Sequence, residues 1–370
     1  ALNVLKADVH PRVTEHMPQI IALVEQLLAR GAAYEVNGDV YFAVENFQDY
    51  GKLSGRDLED MLAGARVRVG EQKRNPMDFA LWKAAKPGEP SWQSPWGEGR
   101  PGWHIECSVM SKEYLGDNFD IHGGGADLIF PHHENEIAQA EAASGCTFAR
   151  YWLHNGFITV NDEKMSKSLG NFFLLREILE KFPGDVVRFY LLNTHYRSPI
   201  DFDDEKLQIA AKSLGRIRNA YLLLQELAEQ PEASDASADA AMRRATETLR
   251  CCFAEAMDDD FNTALAIAAI FDYTKAINTY ARQAEAATLA DGLQLMEALD
   301  EVIACIKPQP AAGIGANDEM IGRLMDLIIE VRQQARQKKD WGTADYIRDA
   351  LKDCGIALED GADAVRWKLI

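Results

Sequence analysis

The pentapeptide Lys164-Met165-Ser166-Lys167-Ser168 follows an apolar run that ends near Val160 and precedes Leu169-Gly170-Asn171. The run indicates a strand, and the residues after it indicate a loop. Two ammonium groups and two hydroxyl groups on one loop can hold the phosphates of ATP. They also stabilise the negative charge that develops when a carboxylate attacks the α-phosphate. We therefore predict that Lys164 and Lys167 are catalytic and that the whole pentapeptide binds ATP.

A solvated surface loop is the alternative interpretation of any two lysines three positions apart. Five specified residues, at roughly one in twenty per position, occur by chance in about one chain of this length in ten thousand. The pentapeptide is therefore specific enough to favour a phosphate-binding loop.

The residues around this loop alternate short apolar runs with helix-like stretches. The apolar runs are residues 118–121, 151–160 and 186–192. Such alternation is typical of an α/β fold with a parallel sheet, in which ligands bind beyond the carboxyl ends of the strands. We predict that residues 101–204 form the catalytic scaffold.

Three metal-capable side chains occur inside this scaffold. Pro131 suits the first turn of a helix, so His132 and Glu136, four residues apart, project from one face and can share a cation with Cys107. The alternative is that Cys107 is a buried apolar residue and that the histidines and Glu136 cap a helix. A His-Glu-x-x-His motif is absent, so the pattern does not indicate a zinc peptidase. Three ligands leave a fourth position to be filled from elsewhere.

A glycine triplet follows the first apolar run of the scaffold. In His122-Gly123-Gly124-Gly125 the missing side chains allow a ligand to approach the backbone closely at the end of a strand. A simple turn is the alternative for a glycine triplet taken alone. We assign His122, Gly123, Gly124 and Asp127 to the ATP site.

Composition limits the class of protein. The 370 residues include 47% hydrophobic and 26% charged residues, which is ordinary for a soluble protein, and no apolar run is long enough to span a membrane. The N-terminal residues carry no export signal, so we expect a cytoplasmic protein. Six scattered cysteines do not suggest a disulfide framework. A net charge of −19 restricts any nucleic-acid contact to a local surface.

The sequence patterns before and after the scaffold indicate further modules. Before the scaffold, an apolar helical face beginning at Met17, with Pro18 in its first turn and Gly31 at its end, predicts a helix, and Asn37-Gly38 predicts a hairpin turn. Residues 74–103 hold many Pro and Gly residues and four tryptophans, which favours an irregular surface segment.

Beyond residue 205, Ala- and Leu-rich helical patterns predict a bundle over 205–306, interrupted by a linker at residues 231–241. A break at residues 307–315 precedes a last module over 318–370.

Four separated blocks carry a resemblance to a known family. They are Gly102-Trp103-His104-Ile105-Glu106-Cys107-Ser108, residues 122–127, residues 130–139 and residues 164–171. Together they closely resemble the cysteinyl-tRNA synthetases, class I enzymes whose signature loop is the pentapeptide at 164–168. Further positions that look like family positions are Asn75-Pro76-Met77-Asp78-Phe79, Met257-Asp258-Asp259-Asp260-Phe261-Asn262-Thr263 and Lys339-Asp340-Trp341.

The resemblance implies a function and a site. It implies ATP-dependent activation of L-cysteine, with magnesium accompanying ATP, followed by transfer to tRNA(Cys). It also implies that Cys107, His132 and Glu136 hold one zinc ion that binds the substrate thiolate, while Trp103 and His122 line the pocket. Zinc binds sulfur far better than a hydroxyl, so coordination would exclude serine without an editing domain. We expect a monomer without membrane contact.

The family also needs a His-Ile-Gly-His type motif and another cysteine ligand, and neither occurs in this sequence. On this interpretation Ala1 is an internal position. Residues 1–100 are then the end of the first catalytic half plus a connecting insertion, and residues 101–204 are the second half of a Rossmann-like domain. We expect the fourth zinc ligand to come from an N-terminal segment. The chain alone is then expected to be inactive, and robust cysteine-dependent ATP–pyrophosphate exchange would contradict this.

Cations and one aromatic residue recur in the last module, on a predicted helical hairpin. Such residues can contact phosphates and stack on an unpaired base. The alternative is a solvated helix face. The residues that we assign to tRNA binding are Arg332, Arg336, Lys338, Lys339, Trp341 and Arg348.

Two other functions use the same residues. A ligase that joins cysteine to an amino sugar forms the same adenylate, but such an enzyme has no use for an anticodon-binding module. A non-catalytic tRNA-binding protein derived from a synthetase is favoured by the missing first half. The lysines of the loop and the metal-capable residues oppose it.

Overall fold

A computed structural model describes residues 1–56, 72–160, 163–165, 173–229, 235–308, 315–360 and 365–369. The chain divides into two compact units, residues 1–307 and 308–370. Among the described residues, every helix is too short or too polar to cross a lipid bilayer.

The first part of the chain packs a helix beside an antiparallel sheet. The elements are α1 (Met17–Ala29), β1 (Ala33–Val36), β2 (Asp39–Phe42), β3 (Phe79–Ala84), β4 (Trp92–Ser94) and β5 (Gly97–Pro101). Among the described residues the sheet has five strands in the order β1-β2-β3-β5-β4. The predicted helix and hairpin are confirmed. Asn37 and Gly38 have φ angles of 52° and 84°, the two positive values that a tight hairpin turn requires.

The prediction of an irregular surface segment over residues 74–103 was wrong. These residues supply three strands of the sheet, and Trp82 on β3 is completely buried. A Cβ atom on Gly99 of β5 would lie 2.1 Å from Trp82 Nε1, so this glycine leaves room for the indole ring. Gly99 therefore accommodates a bulky core residue rather than breaking the sheet.

The second part contains the predicted scaffold. Its elements are α2 (Trp103–Leu115), β6 (Phe119–Gly125), α3 (Glu134–Ser144), β7 (Ala149–Asn155), β8 (Ile158–Val160), β9 (Glu163–Lys164), α4 (Leu175–Lys181), α5 (Gly184–Leu192) and β10 (Ile200–Asp201). Strands β6 and β7 pair in parallel, as do β8 and β10. Residues 186–192 were predicted as one of the apolar runs of a sheet, but they lie in α5. A short apolar run does not distinguish a strand from a buried helix.

A helical bundle follows, as predicted. It consists of α6 (Asp204–Glu229), α7 (Ala236–Asp258), α8 (Thr263–Tyr280) and α9 (Ala286–Ile303). The predicted linker over residues 231–241 is too long, because α7 already begins at Ala236. Asp235 caps this helix by accepting hydrogen bonds from the backbone N–H groups of Ser237 and Ala238. Residues 230–234 lie outside the described residues.

The second unit contains α10 (Gly315–Gln337), α11 (Trp341–Asp353), β11 (Ile356–Asp360) and β12 (Val365–Leu369). The predicted helical hairpin is present, with Asp340 capping α11. The antiparallel pair β11–β12 was not predicted from the sequence.

Two regions of the first unit have different cores. The site region, defined as residues 13–155, is built around α1, the five-stranded sheet, α2 and α3. The bundle region, defined as residues 173–306, is built around α4, α5 and the four bundle helices.

Candidate active site

Four elements of the site region bring the predicted site residues together. Helix α2 carries Cys107, and the helical turn before α3 carries His132. Helix α3 carries Glu136 one turn later, and β6 carries His122 at its middle position. His132 and Glu136 are neighbours because they are four residues apart on consecutive helical turns. Cys107 joins them because α2 packs against α3.

The three predicted metal-capable residues form one cluster. The Cys107 Sγ atom, one His132 ring nitrogen and one Glu136 carboxylate oxygen lie within 4.8 Å of one another. Glu136 is completely buried, and His132 is 4% exposed. Three donor atoms at this separation are close enough to bind the same ion. The alternative that these residues merely cap a helix does not explain why a carboxylate is buried among them.

Both carboxylate oxygens of Glu136 lack a hydrogen bond of acceptable geometry from the described residues. Two imidazole nitrogens are nevertheless close, with His132 Nε2 at 2.6 Å from Oε1 and His122 Nε2 at 3.1 Å from Oε2. Burial alone would raise the pKa of Glu136, but these two rings outweigh burial and lower the pKa to about 2. The site therefore holds a buried carboxylate that is well placed for a cation.

The Cys107 thiol differs from Glu136 because its pKa is raised, so its surroundings favour the uncharged form. Burial, together with the Glu136 and Glu106 carboxylates, raises the pKa of Cys107 to about 12. A thiol in these surroundings stays protonated at neutral pH unless a positive charge is supplied. A metal cation held by Cys107 would supply that charge and favour the thiolate form.

A shell of aromatic rings surrounds the cluster. Trp103 stacks on His132 with ring centroids 4.1 Å apart, and His104 Nδ1 lies 2.7 Å from His132 Nδ1. His133 Nδ1 lies 2.8 Å from His154 Nε2 on β7. Burial lowers the pKa of His133 to about 4, although Glu136 opposes the shift. Burial also lowers the pKa of His104 to about 4, and the neighbouring His132 lowers it further.

Sequence reasoning gave no role to His104, His133 or His154. The first two lie inside blocks that were singled out for other residues, so their proximity in sequence was the available signal. His154 lies on β7, where no local pattern marks it. Its contact with the site arises from strand pairing, which places His154 opposite Gly124.

Three comparisons with known proteins bear on this site. The profile described as tRNA synthetases class I (C) catalytic domain matches residues 1–212, the DALR domain matches residues 252–305, and the cysteinyl-tRNA ligase anticodon binding domain matches residues 326–367. The cysteine–tRNA ligase of Desulforamulus reducens is 57% identical over 383 aligned residues, which cover 100% of this chain and 79% of that protein. The chain belongs to the cysteinyl-tRNA ligase family. The family assignment made from the sequence blocks is confirmed.

Other members of the cysteinyl-tRNA ligase family match over similar spans. The protein of Heliobacterium modesticaldum is 58% identical, with 100% of this chain and 78% of that protein covered. The protein of Geobacter sulfurreducens is 50% identical, with 97% and 76% covered.

Solved structures support the class I fold that cysteinyl-tRNA ligases share. A methionyl-tRNA synthetase from Mycobacterium tuberculosis, bound by methionyl-adenylate, matches with a TM-score of 0.55 at 18% identity, covering 82% of this chain and 74% of that chain. A putative arginyl-tRNA synthetase from Campylobacter jejuni matches with a TM-score of 0.55 at 14% identity, covering 82% and 65%. The predicted fold class is confirmed.

The glycine triplet of this cysteinyl-tRNA ligase family member lies against the histidine shell. A Cβ atom on Gly124 would lie 2.8 Å from His133 Cε1 and 2.9 Å from Leu128 Cδ1. A glycine at position 124 is therefore explained by the packing of these side chains. The assignment of His122, Gly123, Gly124 and Asp127 to the ATP site stays a prediction.

The lysine loop of the family begins in β9. Backbone pairing places Lys164 opposite Thr159 of β8, and the Met165 N–H donates to the Ile158 carbonyl at 3.4 Å. Ser166, Lys167 and Ser168 lie outside the described residues, as does the Lys164 side chain. The roles of these residues in ATP binding and catalysis stay predictions.

The second unit presents most of its predicted tRNA contacts to solvent. Trp341 is 57% exposed, and Arg336, Lys338, Lys339 and Arg348 are exposed as well. Arg348 pairs with Asp345 and Asp349, at 2.9 Å each. Arg332 is an exception, because it is 4% exposed and so is poorly placed for a phosphate contact. Sequence reasoning missed Tyr346, an aromatic side chain on α11 that is 74% exposed.

Proposed function

We propose that the chain works in the cysteine–tRNA ligase reaction, in which ATP activates L-cysteine as an adenylate and the cysteinyl group passes to tRNA(Cys). The observation that carries this proposal is the Cys107–His132–Glu136 cluster, in which His132 and Glu136 are buried, in a chain of this family. A cluster of one thiol, one imidazole and one carboxylate suits the selection of a substrate thiol through a metal.

The cluster fits zinc. Zinc accepts thiolate, imidazole and carboxylate ligands in a four-coordinate arrangement, and the buried Glu136 oxygens without well-aligned hydrogen bonds are suited to facing a cation. When bound, zinc offers a coordination site that favours a thiolate over a hydroxyl, which separates cysteine from serine. Cys107, His132 and Glu136 would hold the ion.

Two aromatic side chains beside the cluster are proposed to line the cysteine pocket. Trp103 is 58% exposed although it stacks on a buried ring, so one face of the indole is open to a small ligand. His122 contacts Glu136 and lies 4.6 Å from Trp152 between ring centroids. These contacts would orient the substrate side chain toward the three ligands.

ATP and its magnesium ion are proposed to bind beyond the ends of β6 and β8. The backbone of His122, Gly123 and Gly124 would contact the nucleoside, with Asp127 nearby. The ammonium groups of Lys164 and Lys167 would stabilise the charge of the reacting phosphates. Strands β6 and β8 each have a parallel partner, and ligands bind beyond the carboxyl ends of parallel strands. Strand β9, which contains Lys164, follows β8, and this order supports the proposed arrangement.

The acceptor is proposed to be tRNA rather than an amino sugar. The match of residues 326–367 to an anticodon binding domain supports this choice. Arg336, Lys338, Lys339, Trp341 and Arg348 would form the contact surface, and Arg332 drops out because it is buried. We further propose a cytoplasmic monomer, the state that we expected from the sequence.

Zinc affinity tests the cluster directly. We expect Cys107→Ala and Glu136→Gln each to weaken zinc binding at least about 100-fold, because loss of a ligand exceeds the roughly 10- to 100-fold effect of losing an outer-shell partner. The measurement is competition with a chromophoric chelator. Cys146→Ala is the matched control, since Cys146 is exposed. Unchanged affinity in both ligand variants would remove the metal from the proposal.

Binding of tRNA tests the second unit. We expect the Lys338→Ala, Lys339→Ala double variant to weaken tRNA(Cys) binding and to reduce the salt slope of log K by about 1 per lost phosphate contact. Trp341→Ala should weaken binding with little change in the slope, because stacking releases few counterions. Lys86→Ala, an exposed lysine elsewhere, is the control. Wild-type affinity and slope in all variants would refute this surface.

A further inference from the structure

Glu136 belongs to a second group of metal-capable side chains. His122, His133 and Glu136 each offer one ligand atom, and these three atoms lie within 4.8 Å of one another. Glu136 is completely buried, and His133 is 2% exposed. The proposed zinc ligands Cys107, His132 and Glu136 include neither of these two histidines. The second group therefore shares only its carboxylate with the first.

The two carboxylate oxygens of Glu136 face different imidazole rings. Oε1 lies 2.6 Å from His132 Nε2, and Oε2 lies 3.1 Å from His122 Nε2. Neither contact has the geometry of a hydrogen bond, and both oxygens lack such a bond among the described residues. A buried carboxylate without hydrogen bonds is costly unless a positive charge compensates it. One oxygen directed to each group suits a carboxylate that bridges two cations.

His133 has one ring nitrogen that is already engaged and one that is available to a ligand. Its Nδ1 forms a hydrogen bond with Nε2 of His154 on β7, at 2.8 Å. Metal-binding histidines commonly have such a partner at the second ring nitrogen, because the partner fixes the orientation of the ring. His154 therefore fixes the ring of His133, and Nε2 of His133 is the nitrogen that can bind an ion.

Gly124 leaves space beside that nitrogen. A Cβ atom at position 124 would lie 3.0 Å from His133 Nε2 and 2.8 Å from His133 Cε1. The neighbouring Gly123 differs, because a Cβ atom there would meet only the Leu153 carbonyl oxygen, at the ordinary contact distance of 3.5 Å. A side chain at position 124, but not at position 123, would therefore obstruct Nε2 of His133.

We propose that His122, His133 and Glu136 bind a second zinc ion, and that Glu136 bridges this ion to the one held by Cys107 and His132. Two imidazole nitrogens and one carboxylate oxygen are a donor set that zinc accepts. The second site has no thiolate and shares its carboxylate, so it binds zinc more weakly than the first. The His122 side chain is 14% exposed, which gives the ion a route from solvent.

The second ion goes beyond the proposed ligase reaction, which calls for one zinc ion. Cobalt(II) is the probe, because a cobalt–thiolate bond gives an intense charge-transfer absorption that a site of imidazole and carboxylate ligands does not give. We expect the metal-free chain to bind two cobalt ions, and only the tighter one to produce the charge-transfer band. Elemental analysis of the zinc-loaded chain should likewise give two ions per chain. One ion per chain in both measurements would overturn the proposal.

Ligand variants assign each ion to its site. We expect His133→Ala to lose the weaker ion while the tighter ion and its charge-transfer band remain. Cys107→Ser should lose the band and still bind an ion at the second site. His10→Ala is the matched control, because His10 is an exposed histidine outside the site region, and it should bind both ions. Circular dichroism checks that each variant folds.

A pair of glycine variants tests the second site without removing a ligand. We expect Gly124→Ala to lose the weaker ion, because the added methyl group displaces the ring of His133. Gly123→Ala is the matched control and should bind both ions. If His133→Ala and Gly124→Ala each bound two ions as the wild type does, the assignment of the second ion to this site would be refuted.

The measurements separate the second site from the proposed zinc site. A single cobalt ion with the charge-transfer band, unaffected by His133→Ala, would leave the first site intact and refute the second. His122 would then serve only to compensate the charge of Glu136. A bound ion without the band, lost in His133→Ala, would support the second site and refute the thiolate site.

Discussion

The site region and the bundle region both have apolar cores, but they differ in how many polar side chains a single helix buries. Within the bundle region the core is a continuous apolar cluster of Leu, Ile, Phe and Ala side chains from α4 to α9. In the site region, α3 and the turn before it bury six polar side chains: His132, His133, Glu134, Asn135, Glu136 and Gln139. The burial of apolar side chains stabilises the fold because it removes apolar surface from water. A buried polar group destabilises the fold unless it has a hydrogen-bond partner. In α3 and the turn before it, the carboxylate oxygens of Glu136 and Nε2 of Gln139 lack well-aligned hydrogen bonds from the described residues.

Two buried carboxylates of helix α3 differ in the same way, because one has well-aligned hydrogen-bond donors and the other does not. Glu134 and Glu136 are both completely buried. The Glu134 carboxylate accepts hydrogen bonds from the backbone N–H groups of Gly51 at 3.0 Å and Ser54 at 2.8 Å, so a loop satisfies its acceptor oxygens. The Glu136 oxygens have no such donors among the described residues. Glu134 therefore stabilises the fold, and the surroundings of Glu136 support the proposed metal site.

The largest expected effect is in the apolar core of the bundle. Leu214 on α6 is 1% exposed, and we expect Leu214→Ala to lower the free energy of unfolding of the bundle by about 3 kcal/mol, within the 2–5 kcal/mol typical of such cavities. Hydrogen exchange of α6 and α9 peptides measures this. Leu222→Ala on the same helix is the control, because Leu222 is 46% exposed. A similar loss in both variants would contradict the placement of Leu214 in the apolar core.

The two carboxylates of α3 should respond in opposite ways. We expect Glu134→Gln to lower the unfolding free energy of the site region by about 2 kcal/mol, because an amide satisfies the loop N–H groups less well than a charge does. Zinc affinity should stay within a few-fold of the wild type. Glu136→Gln should instead abolish tight zinc binding.

Hydrogen exchange of α3 peptides, measured with and without zinc, reports both the stability of the site region and the binding of zinc in each variant. If Glu134→Gln removed zinc binding while α3 kept its exchange protection, the division of roles between the two carboxylates would be wrong.

Two helix glycines of the bundle should change stability with opposite sign. A Cβ atom on Gly292 of α9 would lie 2.1 Å from Tyr273 Oη, which already bonds to Thr246 Oγ1 at 3.0 Å. We expect Gly292→Ala to cost about 1–2 kcal/mol because the packed tyrosine has to move. Gly215→Ala on α6 meets nothing within 4 Å and should stabilise by about 0.5–1 kcal/mol. Urea unfolding measures both, and a shared sign would contradict the packing described.

The smallest effect is a dependence of bundle stability on acid pH. Hydrogen bonds from Thr288 and Arg243 lower the pKa of Asp239 to about 2, below its usual value near 3.8. A folded-state pKa below the unfolded one favours the native state above pH 4, and this contribution is lost as the pH falls through 2. We expect Asp239→Asn to flatten the unfolding free energy between pH 4 and 2. Thr288→Val should reduce the slope in part. An unchanged slope in both variants would rule out this linkage.

Local patterns in the sequence were enough for the family, the fold class and the placement of two metal-capable residues on one helical face. Helical spacing placed His132 and Glu136 on one face, Asn37-Gly38 indicated the hairpin, and four motif blocks carried the family resemblance. These inferences succeeded because each depends on residues within a few positions of one another, where backbone geometry alone sets the distances.

Only the tertiary structure decided the rest. It showed that residues 186–192 form a helix, that Trp82 lies inside a sheet, and that His104, His133 and His154 surround the cluster. Each of these facts depends on elements that are distant in the chain, such as α2 packing against α3 or β7 pairing with β6. Periodicity in a sequence states which face of an element is buried, but the identity of the partner is a non-local choice made by packing.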